Sequence, residues 1–305
     1  MDSIAPLIAA SINAGTPLML AALGLLINEK AGVVNLGAEG MMLVAAIVGF
    51  ATTVNTDSVI LGFAAGACAG MVLAGFFAMM TVWLGTNQYA TGLALSLFGA
   101  GASAYIGIHY VGDSLQNGKH AIPLLEDIPF LGTALFKQHP MVYLSILLCG
   151  AIIWFLYRTR AGLILRAVGE SPSSAHSLGY NVRRIRLASL LFGGACCGLA
   201  GAYLSLVYTP LWAEGMVAGR GWIALALTTF ATWRPARVLI GSYLFGGVTI
   251  LTFYMQGLGV AVASQLLSML PYLATIVVLV LISRNANWIK LNMPASLGRN
   301  FNPNK

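Results

Sequence analysis

The stretch RTRAGLILRAVGESPSSAHSLGYNVRRIR, from Arg158 to Arg186, is a long basic and polar interruption in an otherwise apolar sequence. It contains the signals of a short helix, since Ser171 suits an N-cap, Pro172 suits the first helical position and Gly179 can end the helix in a left-handed turn. The pattern predicts a short, rigid helix on the cytoplasmic side of a membrane, held between transmembrane segments and open to a partner. The alternative is a plain solvated loop that only obeys the positive-inside rule.

Composition decides the class of protein to which this loop belongs. Of the 305 residues, 58% are hydrophobic and 8% are charged, and the mean hydropathy is +0.84. No water-soluble domain of this length has such a composition, so the chain is predicted to be an all-α, polytopic bundle of transmembrane helices. The net charge of +7 is explained by membrane orientation, and no nucleic-acid partner is predicted. The four cysteines lie in apolar runs, which indicates neither disulfides nor a metal site.

The apolar runs divide the chain into about nine spans, within a range of eight to ten. They cover approximately residues 4–27, 36–54, 59–84, 89–108, 141–157, 187–208, 221–232, 238–258 and 262–283. We interpret the whole chain, 1–305, as one transmembrane domain. Its parts are a first half (4–108), an external loop (109–140), a linking span (141–157), the basic loop (158–186), a second half (187–283) and a tail (284–305).

The basic residues predict the orientation of these spans. With the basic loop inside, thirteen of the sixteen Lys and Arg fall on the cytoplasmic side, and only Lys119, Lys137 and Arg220 fall opposite. Such a bias retains loops in the cytoplasm. The C-terminus is therefore predicted to be cytoplasmic and, for nine spans, the N-terminus external.

Two parts of the chain resemble each other. The stretch that begins AEGMMLVAAIVGFATT at Ala38 aligns with GRGWIALALTTFATW from Gly219, so that Glu39-Gly40 falls on Arg220-Gly221. The turn after the first copy carries Asp57 and no cation, whereas the turn after the second copy carries Arg234 and Arg237. Equivalent turns on opposite sides of a membrane predict an inverted repeat, an architecture typical of transporters.

The same alignment suggests where a translocation pathway lies. The segments 41–54 and 222–232, taken as continuous helix, reach only about 15–20 Å, short of a hydrocarbon core of about 30 Å. The glycine-rich stretches before them are therefore expected to enter the membrane as broken helices beside a cavity. The hypothesis places six residues on the pathway: Asn35, Glu39, Asn87, Gln88, Thr91 and Arg220. The alternative for Glu39 and Arg220 is that they only anchor helix ends.

Two other classes of membrane protein fit the sequence less well. A secondary transporter driven by an ion gradient needs buried carboxylates, and Glu39 is the only acidic residue within the predicted spans. A membrane enzyme needs a nucleophile, a metal site or paired carboxylates, and no such constellation is found, so no catalytic residue is predicted. The chain also contains no GxxxxGK[ST] run, so any ATP hydrolysis is expected of a partner.

Four blocks of the sequence carry a resemblance to a known family. They are Ile27–Ala46, Gly85–Phe98, Arg166–Arg186 and Ala218–Gly247. In this order they resemble the permease subunits of bacterial ABC importers, in the branched-chain amino acid and simple-sugar permease superfamily, and most closely its nucleoside-uptake branch. The resemblance implies a type II ABC importer-like fold in the bacterial cytoplasmic (inner) membrane. It also implies translocation of a small polar solute by alternating access, with a nucleoside first and ribose-like sugars second.

The resemblance further implies partners and a coupling site. A second, related permease would complete the pathway as a heterodimer, a cytoplasmic ABC ATPase would bind ATP and Mg, and an external lipoprotein would deliver the substrate. This chain itself would bind no cofactor. The family's coupling helix docks in a groove of the ATPase, and here it maps onto Glu170, Ser171, Pro172, Ser173, Ser174, Ala175, His176, Ser177 and Gly179.

Overall fold

The fold is a bundle of α-helices in a computed structural model that describes residues 4–115, 135–257 and 292–302, with single residues or pairs between 266 and 280. Most of the predicted external loop and of the last predicted span lies outside the described residues. The helices are α1 Ile4–Lys30, α2 Ala38–Thr56, α3 Val59–Ala78, α4 Gln88–Gly107, α5 Pro140–Arg158, α6 Arg160–Glu170, α7 Pro172–Ser177, α8 Val182–Tyr203, α9 Arg220–Phe230 and α10 Pro235–Gly257. Short π-helical turns, Met79–Trp83 and Leu204–Tyr208, extend α3 and α8.

Seven helices of the described part of the chain are long and apolar enough to cross a membrane, namely α1 to α5, α8 and α10. This confirms a polytopic helical bundle. The predicted count of nine spans is not reached within these residues, because α9 has only 11 residues and the last predicted span is largely undescribed.

The second helix corrects an expectation. The segment 41–54 was expected to be too short to cross, yet α2 runs from Ala38 to Thr56 over 19 residues, or about 28 Å. At its polar end the hydroxyls of Thr52, Thr53 and Thr56 donate to carbonyls four residues earlier, so these side chains are satisfied within the helix. Of the two helices that the alignment pairs, α2 and α9, only α9 is short.

The centre of the bundle is formed by α1 and α8, which pack on each other. Helix α10 covers α1, while α3 and α2 cover α8. The outer helices expose large apolar side chains such as Phe76, Leu97, Leu147 and Leu251. A lipid bilayer accounts for that exposure, since a water-soluble monomer rarely presents apolar surface on this scale.

Close helix crossings depend on glycine. At the α2–α4 crossing, a Cβ built on Gly99 would lie 2.5 Å from the Cα of Gly40. Gly101, on the same helix, is exposed and has open space around it. Small residues at such crossings let helix backbones approach closely in membranes.

We expect Gly99→Ala to destabilise the protein by about 1–3 kcal/mol, because the added methyl must push two backbones apart. Gly101→Ala is the matched control and should be neutral or stabilising by up to about 1 kcal/mol, since alanine is the better helix former. Thermal unfolding of both variants in detergent checks the difference. Equal melting temperatures would contradict the assigned crossing.

Candidate functional site

The helices that follow two non-helical segments, α2 and α9, meet at their N-terminal ends. Residues 31–37 and 209–219 are not helical, and α2 and α9 begin directly after them. In the first turn of α2, the Glu39 carboxylate accepts hydrogen bonds from the backbone N–H groups of Gly219 (2.8 Å) and Gly221 (2.7 Å). The first N–H groups of a helix lack partners within the helix and favour negative charge. Glu39 of the first half therefore caps the N-terminus of α9 in the second half.

The local sequence around this cap is required by its geometry. Gly219 has φ of +79°, a left-handed conformation that suits glycine. A Cβ on Gly221 would lie 2.6 Å from the Cα of Glu39. The two backbones touch here, which leaves space for a carboxylate but none for a side chain at residue 221.

Arg220 lies beside the cap and holds the turn before α9. One guanidinium nitrogen, Nη1, donates to the carbonyls of Met216 and Val217, both at 3.1 Å. The guanidinium carbon stands 5.3 Å from the ring centroid of Tyr208, within the range of a cation–π contact. Both predicted charges thus contact helix ends, as the anchoring alternative requires, and a role in the pathway stays a prediction.

The other predicted polar residues form a second group around the start of α4. Asn35 is fully buried and its Oδ1 accepts from the N–H of Gly37 at 3.0 Å. Gln88 is also buried, and its Oε1 accepts from the N–H of Val34 at 2.9 Å. Gln88 therefore ties the first broken segment to the start of α4.

Asn87 and Thr91 lie next to Gln88 and have local roles. The side chain of Asn87 is the N-cap of α4 and accepts from the N–H groups of Tyr89 (2.9 Å) and Ala90 (3.1 Å). The hydroxyls of Thr91 and Thr86 are 2.9 Å apart. These contacts shape the α3–α4 turn and leave the predicted pathway role of both residues untested.

The basic loop contains the expected short helix, α7. The Ser171 hydroxyl accepts from the N–H of Ser174 at 3.3 Å, Pro172 occupies the first position and Gly179 has φ of +88°. Ala175 is buried against Val168 and Val182. The remaining predicted coupling residues within and after α7, namely Ser173, Ser174, His176, Ser177 and Gly179, are exposed. Ala175 is thus the one buried residue of α7, and most of its other side chains are exposed.

The sequence of the chain matches a known family of membrane proteins. The family model described as branched-chain amino acid transport system / permease component matches residues 7–282. The chain belongs to this family of ABC transporter permeases. The match confirms the resemblance to ABC importer permeases. Members of this family are non-enzymatic membrane components, which confirms the expectation that the chain is not an enzyme.

Several curated proteins are similar to the permease. It is 38% identical to a putative glucose ABC transporter permease of Haloferax volcanii, over 99% of both chains. It is 31% identical to a nucleoside ABC transporter permease of Lactococcus lactis, over 87% of this chain and 88% of the relative. A guanosine ABC transporter permease of Bacillus subtilis is 29% identical, over 90% of both. No solved structure matches the permease.

A buried carboxylate of the permease, Glu29, was not predicted from the sequence. The first span was expected to end at Ile27, but α1 continues to Lys30, so the expectation that Glu39 is the only acidic residue within a span was wrong. Glu29 Oε2 accepts from Thr228 Oγ1 (3.0 Å) and from Trp233 Nε1 (2.5 Å). The partners lie about 200 residues away, so no local pattern could have revealed them.

Glu29 also fixes an unusual turn after α9. Thr232 and Trp233 have φ of +49° and +52°, which costs about 1–2 kcal/mol for each residue that carries a Cβ. The bond from the Trp233 indole to Glu29 compensates part of this cost. In the permease, α9 is therefore held at its start by Glu39 and at its end by Glu29, both from the first half of the chain.

The polar residues of the site do not form a metal centre. Among the residues that the structure describes, no three His, Cys, Asp or Glu side chains are grouped to hold a metal ion. The carboxylates of Glu39 and Glu29, both in the first half, accept hydrogen bonds at the two ends of α9. The arrangement can therefore couple the position of α9 to that of the first half.

Proposed function

We propose that this permease is the membrane subunit of an ABC importer, which carries a small polar solute, a nucleoside, into the cell by alternating access. It pairs with a second, related permease in the cytoplasmic membrane and receives substrate from an external binding lipoprotein. A cytoplasmic ABC ATPase binds ATP and Mg, and this chain binds no cofactor. ATP-driven closure of the ATPase displaces α7, and the two halves of the bundle respond by rocking.

The observation that carries the proposal is the exposed helix α7, in the loop between the two halves. It is short and capped, and Ala175 is its one buried residue, packed against Val168 and Val182. A rigid element of this kind can transmit a displacement to the helices on either side, α6 and α8. Its position fits the family's coupling helix.

Reciprocal packing supports an inverted repeat. In the aligned copies α2 corresponds to α9. The helices on either side then pair as well, α1 with α8 and α3 with α10. Helix α1 packs on α9 and α10, and α8 packs on α2 and α3. Both outer crossings bring glycine onto glycine, Gly246 on Gly15 and Gly198 on Gly70. The alignment pairs Glu39 with Arg220, and Glu39 contacts Gly221, the residue after Arg220. Such a contact between aligned positions is expected near an axis that relates the two halves.

The positions of the charges support the proposed orientation. Lys30, Arg186 and the backbone of Arg299 lie at one end of the bundle, which we call the basic end. Helix α7 lies there too, since His176 contacts Phe301 of the same terminal segment. A cytoplasmic basic end agrees with the positive-inside rule.

The relatives leave two classes of substrate to compare. The names of the Lactococcus and Bacillus relatives, a nucleoside and a guanosine permease, support a nucleoside. The name of the Haloferax relative, a putative glucose permease, favours a sugar as the second candidate, alongside ribose-like sugars. An ion-coupled secondary transporter is a further, weaker alternative.

Reconstitution tests the proposed function. The permease is purified with the products of its chromosomal neighbours, and uptake of labelled nucleosides, glucose and ribose into vesicles is measured with and without ATP. We expect an ATPase to co-purify and ATP-dependent nucleoside uptake to exceed sugar uptake. Uptake of glucose alone would overturn the nucleoside assignment, and absence of an ATPase would overturn the importer assignment.

Replacement of both Ser173 and Ser174 by glutamate is expected to reduce uptake at least tenfold while the protein remains in the membrane. Both side chains are exposed, and acidic residues in a first helical turn favour the helix, so α7 should persist while its docking face becomes charged. Ser114→Glu, an exposed serine at the opposite end, is the control. Unchanged uptake in the double variant would contradict docking through α7.

A further inference from the structure

The C-terminal segment 292–302 lies across the basic end and contacts residues of the first half and of the basic loop. Ser296 donates from its N–H and from its hydroxyl to the carbonyl of Gly169, at 3.0 Å and 2.6 Å. The N–H of Gly298 donates to the carbonyl of Gly32 at 3.2 Å, and Lys30 Nζ donates to the carbonyl of Asn292 at 2.8 Å. The segment is therefore fixed to α6 and to the end of α1.

Asn300 carries the segment onward to the α3–α4 turn. Its Nδ2 donates to the carbonyls of Gly85 (2.6 Å) and Thr86 (2.9 Å), and its Oδ1 accepts from Gln88 Nε2 at 3.1 Å. The opposite end of the same Gln88 amide accepts from the N–H of Val34. One amide of the segment is thus linked through a second amide to the broken stretch that precedes α2.

Phe301, the next residue, contacts the proposed coupling helix. Its ring lies 5.6 Å from the His176 ring, centroid to centroid and near edge-on. It also packs against the buried cluster of Val168, Ala175 and Val182 that anchors α7. Phe301 and the end of α7 together line a cleft of about 300 Å³. Phe301 therefore belongs to the same surface as α7.

We propose that the segment 292–302 is the second part of the coupling element. It takes up the displacement of α7 at Phe301 and passes it through Asn300 to Gln88 and to the broken stretch at Val34. The inference rests on the proposed function, because α7 must be the docking helix. Asn300 and Phe301 are positioning residues, which act on the pathway through Gln88.

The reason for such a link lies in the topology. Helix α7 is joined by the chain to α6 and α8, whereas the α3–α4 turn lies about 90 residues before it. Adjacent residues of one chain lie about 3.8 Å apart at Cα and move together. Asn300 and Phe301 thereby connect α7 directly to the first half, so a displacement of α7 reaches both halves.

The test compares transport with ATP hydrolysis in the assembled transporter. Asn300→Ala and Phe301→Ala are each expected to lower ATP-dependent uptake at least fivefold, while the ATPase still co-purifies and its hydrolysis rate stays within twofold of wild type. The anchors at Ser296 and Gly298 are intact in both variants, so both should accumulate in the membrane. Met293→Ala, an exposed residue of the same segment, is the matched control and should transport normally.

A double-mutant comparison separates coupling from loss of stability. Because Gln88→Ala and Asn300→Ala both remove the Gln88–Asn300 contact, the fold-loss of uptake in the double variant should be smaller than the product of the two single losses. Uptake within twofold of wild type for both Asn300→Ala and Phe301→Ala would overturn the inference, as would a parallel fall of uptake and ATPase association. Failure of the wild-type permease to bind an ATPase would instead overturn the proposed function.

Discussion

Arg186→Ala is expected to destabilise the permease by about 3 kcal/mol or more, because three acceptors lose a charged donor in a buried site. Arg186 is only 2% exposed. Its Nε donates to the carbonyl of Ala31 (3.2 Å), Nη1 to the carbonyl of Arg299 (3.1 Å) and Nη2 to Ser296 Oγ (3.4 Å). One side chain thus joins α8, the end of α1 and the C-terminal segment. Thermal unfolding in detergent measures the loss, and uptake should fall with it.

Two variants serve as controls for this prediction. Arg184→Ala removes the same charge two residues earlier from an exposed position, and its effect should stay within about 0.5 kcal/mol. Arg186→Lys should recover little, because an ammonium is a point charge that cannot match the fork of a guanidinium. Equal melting temperatures for the Arg184→Ala and Arg186→Ala variants would contradict a stabilising role for the three hydrogen bonds of Arg186. Full recovery of stability in Arg186→Lys would contradict it as well.

The sequence was sufficient to predict α7, because its signals are local. An N-cap serine, a proline at the first position and a glycine with positive φ act within a few residues, and the structure shows all three in these roles. The class of the protein was equally accessible, since composition alone excludes a water-soluble fold. Both predictions depend on properties that tertiary contacts do not change.

Arg186 shows why other parts could not be predicted. In sequence it is one of six arginines in a basic loop, and the charge pattern treats all six alike. What separates Arg186 from Arg184 is the presence of carbonyls from residues 31 and 299, which are 155 and 113 positions away. The packing of residues 292–302 on the bundle was missed for the same reason, because a short polar tail carries no periodic signal.

The candidate site was predicted in part. The repeat alignment brought Glu39 opposite Arg220, and the structure places the Glu39 carboxylate on the N–H groups on either side of that arginine. The alignment could not show that Glu29 holds the other end of α9. The pairing of Gln88 with Val34 was equally hidden, because backbone acceptors and donors have no signature in a sequence.

Glu39→Ala is expected to destabilise the permease by about 1–3 kcal/mol for each of the two N–H groups left without an acceptor. The donors belong to Gly219 and Gly221, at the start of a helix with only 11 residues. Glu39→Gln should have a smaller effect, since one amide oxygen still accepts while the NH2 group faces the other N–H. Asp57→Asn is the matched control at the exposed end of α2, where residue 57 has φ of +53°, a conformation that asparagine tolerates.

The same variants separate the anchoring role of Glu39 from a role in the pathway. An anchor acts through the position of α9, so melting temperature and maximal uptake rate should fall together from Gln to Ala while the apparent KM changes little. A pathway residue touches the solute, so Glu39→Gln should then change the apparent KM even where stability is retained. The double hydrogen bond to α9 leads us to expect the first pattern. A Gln variant with wild-type stability and a tenfold higher KM would contradict it, because a neutral amide would then weaken solute binding without loosening the helix.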